Sequence, residues 1–267
     1  MNHLLRQLAP ISDAGWRLLD EEARERLVPA LAARKLVDFD GPHGWEYSGT
    51  NLGRTQPIDD APCTGVTGRQ RHVLPLIELQ AEFELDREEL ANADRGARDA
   101  ELAALDTAAH QLAVAENIAV FHGWPQGGIE GVAAACPHPV VPLGENPDEY
   151  RRPVAGAVEL LLHAGIAGPY ALALGGEQYQ RVVQTAEHGG YPLLDHLRKI
   201  IEGPIVWAPG VKGAIVLSTR GGDFLFESGQ DVSIGYRSHD GERMRLYLEE
   251  SFSFRVATPE AAVVLGA

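Results

Sequence analysis

Leu102, Leu105, Ala109 and Leu112 recur at three- and four-residue intervals, the spacing of one face of a helix. The pattern predicts a helix over 99–121. Asp99 sits at its N-cap, Glu101 and Asp106 near its positive end, and His122-Gly123 at its close. Past Leu112 the apolar positions widen to Val114, Ile118, Ala119, Val120 and Phe121, leaving Glu116 and Asn117 as the only polar breaks. A helix apolar on most sides is enclosed by other elements. At ~1.5 Å per residue it spans roughly 35 Å, the width of a domain. This helix is therefore a spine on which other parts pack.

The same periodicity predicts an N-terminal helix, capped by Ser12 or Asp13 and running through Trp16, Leu19, Ala23, Leu27 and Leu31. Pro29 lies inside it and should kink or stop it, because proline lacks the backbone donor. A short strand follows at 36–39. From 48 to 68 the chain is rich in Gly, Thr, Asp and Pro and has little to bury. We read this stretch as an extended arm with strand character at 54–58 and again from Arg71. Alternation at Leu79, Ala81, Phe83 and Leu85 marks a half-buried strand, read as continuous from Leu74. Helices are predicted at 147–164, 178–186 and 191–201, and strands at 169–174, 205–207 and 213–219. Beyond Gly222 the chain is almost all β, with strands at 224–227, 232–236 and 243–257. Helices and strands mix without a regular βαβ repeat, which places the fold in the α+β class. An arm with so few core residues must be held by something outside its own domain, and another copy of the chain is the natural holder.

Composition narrows the function. Of 267 residues, 45% are hydrophobic, enough for a sizeable core, and the formal net charge is −15. That charge argues against nucleic-acid phosphate and against an electrostatic grip on anionic membranes. The N-terminus lacks the apolar core of a signal peptide, and no apolar run approaches a membrane span, so a cytoplasmic protein is the expectation. Cys63 and Cys136 make no disulfide framework. The ten histidines include no pair with metal-site spacing beside a glutamate. There is no GxSxG, and the Cys136-Pro137-His138 adjacency does not make a nucleophile and base. No metal, cofactor or catalytic residue is predicted. Glu116 is read as a buried acid awaiting a partner such as Arg95 or Arg220.

Several stretches together resemble one family. They include LAPIS with Trp16, RKLVDFDGPHGWEY (34–47), LPLIEL (74–79), FHGW with GIEGV, GPYAL, HGGYPLLDHL, TRGGDF, GQDVSIGY (229–236) and LYLEESFSFRV. With the Asp94-Arg95-Gly96 turn, they make the chain similar, along essentially its whole length, to the encapsulin shell proteins, also known as linocin-type bacteriocins. The resemblance implies a Hong Kong 97-type phage-capsid fold. In that fold 1–47 is the N-terminal helix and the start of a peripheral domain, and 48–73 the extended loop. Residues 74–130 are the peripheral domain with its spine, 131–220 an axial domain, and 221–267 strands returning to the periphery. It also implies an icosahedral shell of about sixty copies. Such a shell encloses a cargo enzyme, a dye-decolourising peroxidase or a ferritin-like protein, held through its C-terminal targeting peptide.

By the same resemblance, Leu27, Leu31, Arg34, Leu36, Asp38, Ile234 and Tyr236 would bind that peptide. Glu187, His188, Gly189, Gly190 and Tyr191 would line a pore on the five-fold axis. Some relatives bind flavin beside an aromatic residue after LPLIEL. Here the stretch is Leu85-Asp86-Arg87-Glu88, without one, and no flavin is predicted. The competing reading is a secreted bacteriocin or protease.

Overall fold

The computed structural model describes residues 3–186 and 190–266. Helix α1 (Asp13–Ala30) starts on Ser12, whose hydroxyl accepts the Gly15 amide. The helix ends at Ala30, one residue past Pro29. The last turn closes from the Leu31 amide to the Leu27 carbonyl, and the chain continues through a 3-10 turn (Ala33–Lys35) into β1 (Asp38–Asp40). The Pro29 carbonyl, free of a helical partner, accepts Lys35 Nζ at 3.0 Å.

Strands β2 (Gly49–Ile58) and β3 (Gly68–Pro75) form a two-stranded antiparallel arm of their own. β2 is longer than the pattern suggested, because pairing with β3 organises residues that carry no apolar alternation. The strand expected to run unbroken from Leu74 is two strands. Pro75 ends β3, the Leu76 amide turns to the Ser48 carbonyl, and β4 (Ile77–Asp86) takes up a new partner further along the chain.

Helix α2 (Arg87–Asp94) precedes the spine, α3 (Ala103–Phe121). The spine begins later than Asp99. The Glu101 amide is drawn to Glu89 of α2 at 3.1 Å, and the Glu101 carboxylate accepts the first helical amide, that of Ala103, at 3.0 Å. The middle of the chain supplies α4 (Val132–Ala135), β5 (Val141–Pro142), α5 (Arg151–His163), β6 (Tyr170–Leu174), α6 (Gly176–Gln184), α7 (Leu193–Ile201), β7 (Ile205–Trp207) and β8 (Ala214–Ser218). The end supplies β9 (Phe224–Ser228), β10 (Ser233–His239), β11 (Arg243–Val256) and β12 (Ala262–Gly266).

Two larger sheets result. In the first, β11 is the centre: it pairs antiparallel with β4 along one edge and with β10 and then β9 along the other, and β1 adds parallel to β9. In the second the order is β5-β12-β8-β6-β7. β12 therefore corrects the expected boundary at 221–267. The final strand leaves the first sheet and pairs with β8 and β5 of the middle segment, burying Val263 and Leu265 there.

The spine crosses between the two cores. Leu105, Ala109 and Leu112 pack with Trp16, Leu19, Leu27 and Leu246, whereas Ala119, Val120 and Phe121 pack with the second sheet and α5. Between these apolar ends lie Glu116 and Asn117, both fully buried. Asn117 uses every hydrogen-bonding valence it has. Its Oδ1 accepts the amides of Ala32 and Ala33, and its Nδ2 donates to the carbonyls of Ala30 and Pro209. It thus ties the end of α1 and the β7–β8 loop to the spine. Asn117→Ala strands the buried Ala33 amide and Pro209 carbonyl, and leaves the Ala32 amide and Ala30 carbonyl only their bond to each other. Each unmet group costs about 1–3 kcal/mol, so the variant is expected to show a large fall in thermal midpoint without a change of fold by circular dichroism.

Candidate functional site: an apolar groove over a buried arginine cluster

A groove of about 760 Å³ runs between α1 and the edge of β10. The helical spacing of Ala23, Leu27 and Leu31 directs one face of α1 downward, and Ile234 of β10 and Leu248 of β11 rise to meet it. The N-terminal segment closes one end: the Leu4 carbonyl accepts the Tyr236 amide at 2.8 Å, and Arg6 Nε donates to the Ile234 carbonyl at 2.7 Å. Val28 and Val232 form the accessible apolar walls, Val28 being 57% exposed. Charged side chains line it too. Arg6 is bidentate to Asp20, at 2.8 and 2.6 Å. Arg24 and Lys35 line the groove as well.

Behind the groove stands Arg34. Its fork is fully used: Nε donates to Glu116 Oε2 at 2.6 Å, Nη1 to Asp231 Oδ1 at 2.5 Å, and Nη2 to Glu250 Oε2 at 2.5 Å. The guanidinium also lies over the rings of Phe39 and Phe226, 5.2 and 5.5 Å from their centroids. Burial works against its charge, but the carboxylates of Glu116 and Glu250 outweigh burial and hold the proton on Arg34 more firmly than in water. Arg34 thus fastens the 3-10 turn after α1 to the spine, to β11 and to the turn before β10. The partner of Glu116 is Arg34, and neither Arg95 nor Arg220. Those two pair locally, Arg95 with Glu88 and Arg220 with Asp223.

Of the seven residues predicted for peptide binding, four line the groove: Leu27, Leu31, Arg34 and Ile234. Three do not. Leu36 is buried in the other core, against the second sheet. Asp38, on β1, accepts the Gly222 amide at 2.6 Å. Tyr236 lies where the N-terminal segment bonds β10, its amide donating to the Leu4 carbonyl, and its hydroxyl contacts His239 Nδ1 at 2.5 Å. Spacing along the chain did not reveal that bond. Arg34 is also no free rim charge, since three carboxylates occupy it. Sequence reading missed Val28, Val232, Asp231 and Glu250. A signal existed for Glu250: Glu249 and Glu250 are adjacent on one strand, so alternation must send them to opposite faces of the sheet.

Elsewhere the chemistry is sparse. Cys136 and His138 each engage a backbone carbonyl, Cys136 Sγ that of Ala262 at 3.1 Å and His138 Nε2 that of Glu260 at 2.9 Å, so they do not form a reactive pair. Among the described residues no cluster of His, Cys, Asp and Glu could hold a metal ion, and no helix is long and apolar enough to cross a membrane. Of the five predicted pore residues, Glu187, His188 and Gly189 lie outside the described residues. Gly190 takes a φ of +80°, a backbone suited to glycine, and Tyr191 stacks on His196 with centroids 4.3 Å apart.

Residues 1–253 match the family model described as encapsulating protein for peroxidase. The chain is 47% identical over 270 residues to a type 1 encapsulin shell protein of Rhodospirillum rubrum, covering 99% of this chain and 96% of the relative. Among solved structures, a virus-like particle from Pyrococcus furiosus superposes with a TM-score of 0.67 at 18% identity, covering 94% of this chain and 98% of that one. The capsid of an empty GTA particle superposes with a TM-score of 0.55 at 15% identity, covering 89% and 90%. At these identities the two structures speak to the fold, which is α+β and capsid-like. A spine crossing two cores, an arm with no core of its own and a whole-chain family match agree: the chain belongs to the encapsulin shell-protein family, structural proteins that assemble into capsid-like particles and not enzymes.

Proposed function

We propose that this shell subunit binds an extended apolar segment of its cargo, a C-terminal targeting peptide, in the groove between α1 and β10. The observation that supports this most is the groove itself: about 760 Å³, lined by Leu27, Val28, Leu31, Val232 and Ile234, with charged side chains such as Arg24 and Lys35 beside them. Each apolar anchor fully enclosed there contributes about 1.5–3 kcal/mol. One site can be weak, because an oligomeric cargo offers several peptides at once. The family's description favours a peroxidase as cargo, and a ferritin-like protein is the second candidate. The particle is the smallest icosahedron, about sixty copies of one chain joined by contacts repeated under symmetry. It works in the cytoplasm, and the loop of Glu187, His188, Gly189, Gly190 and Tyr191 rings a pore on its five-fold axis. A secreted bacteriocin or protease is the alternative. Light scattering separates the two, because a shell is a megadalton particle and a secreted factor is not.

The groove is tested on its accessible walls. Leu31 and Ile234 are buried within the core as well as facing the groove, so a charge at either threatens folding. Val28→Asp places charge where peptide side chains would lie, and Val28, 57% exposed, lies outside both cores. Co-expressed with the native cargo, this variant should give intact shells from which cargo is absent. Shells filled to the wild-type level would refute the groove. For the pore, Glu187→Ala with His188→Ala should change the entry of small charged probes while leaving assembly intact, and equal flux for cations and anions before and after would refute charge gating.

A further inference from the structure

Arg34 is one cation among three carboxylates, and two of those, Glu116 and Glu250, are out of reach of water. One guanidinium cannot neutralise both. Each keeps one oxygen on Arg34 and leaves the other, Oε1, buried without a hydrogen-bond partner. Two orphaned carboxylate oxygens in one low-dielectric site are costly if both are charged. A single proton placed between them removes one charge and supplies the missing bond, an O–H donated by one carboxyl to the other.

We propose that Glu116 and Glu250 share one proton in neutral solution, and that this proton is a pH-sensitive catch holding Arg34 and the groove wall to the spine. The charged groups that act on the pair are few. Arg34 comes from the turn after α1, and Asp231 from the turn before β10. The adjacent Glu249 points to the other face of β11 by strand alternation and contacts His3 at 2.6 Å. Asn117, next to Glu116 on the spine, is uncharged and fully bonded. Burial raises both carboxyls above the usual range, Glu250 further because Glu116 lies beside it. The unfolded chain loses these protons in the ordinary carboxylate range, and the folded chain keeps one. The stability this pair contributes is therefore full in acid and is lost as pH rises through the raised value. Above it, a second buried negative charge repels the first across Arg34, and the turn carrying Arg34 and Lys35 loosens along the groove.

The catch is independent of what the groove binds, so the experiment uses empty shells. Difference infrared spectroscopy of assembled particles should show the carbonyl stretch of a protonated carboxylic acid in neutral solution, lost on going alkaline. Glu250→Gln should abolish that band. Its amide donates to Glu116 and its carbonyl still accepts from Arg34, so the thermal midpoint of the variant should stay level where the wild type declines from mildly acidic to alkaline buffer. Glu116→Gln serves the same purpose if the first variant does not assemble. Absence of the band from neutral wild-type shells, or the same alkaline decline in wild type and variant, would overturn the shared proton. Neither result depends on cargo, which keeps it separate from failure of the peptide reading.

Discussion

Shells do not close when residues 50–68 are deleted: the expected product is folded subunits or small aggregates, with no particles by electron microscopy and no megadalton peak by light scattering. The arm of β2 and β3 has no core. Along it Ile58, Val66 and Val73 are each more than half exposed, and beyond Thr50 its β2 residues have almost no burial within the subunit. Its root, by contrast, is anchored. Tyr47 and Thr50 both donate to Glu227 Oε2, at 2.5 and 2.7 Å, and Thr50 also bonds Ser253 at 2.7 Å. A rooted hairpin with apolar side chains in solvent calls for another surface to cover it, and in a family that builds particles the expected one is a neighbouring subunit. Because Thr50 is the only buried residue the deletion removes, and it belongs to neither hydrophobic core, the far-ultraviolet circular dichroism of the product should remain that of an α+β protein. Normal particles after the deletion would refute the role of the arm.

The second large effect is expected at Arg34. Arg34→Ala leaves Glu116 and Glu250 buried with no cation, and loss of one partner from a buried ion pair typically costs about 3–5 kcal/mol. The wall of the groove and the end of α1 lose their fastening together. The penalty has a sign in pH. Without Arg34 the two carboxyls can be neutral only by binding protons, so the variant approaches wild type in acid and falls further behind as the solution becomes alkaline. Thermal midpoints of shells at one fixed protein concentration, measured across pH, should show that widening gap. Replacing all three groups at once, Arg34→Met with Glu116→Leu and Glu250→Leu, removes the stranded charges and should recover most of the loss. A gap that did not widen with pH would mean that the carboxylates are not what Arg34 compensates.

The elements of this fold were legible in the chain wherever local pattern decides them. Helical spacing marked α1 and the spine; β-branched and alternating runs marked β4, β6, β8 and β11; and the lack of anything to bury marked the arm. These are properties of neighbours in sequence, and proline or glycine could even be read as their ends. Half of the groove was legible for the same reason, since Leu27 and Leu31 share a helix face whatever lies opposite. Pairing at long range was not legible. Nothing local tells β12 to leave the first sheet for the second, or places Asp231 and Glu250, 197 and 216 residues from Arg34, on the same guanidinium. Glu116 and Asn117 show the limit most clearly. As polar breaks in an apolar helix they could face solvent or a partner, and the pattern is the same in both cases. Only the tertiary structure, by closing both cores around the spine and leaving one arginine and four backbone groups within reach, made them a buried polar layer. Burial of charge is decided by what surrounds a residue, and the surroundings come from parts of the chain far away in sequence.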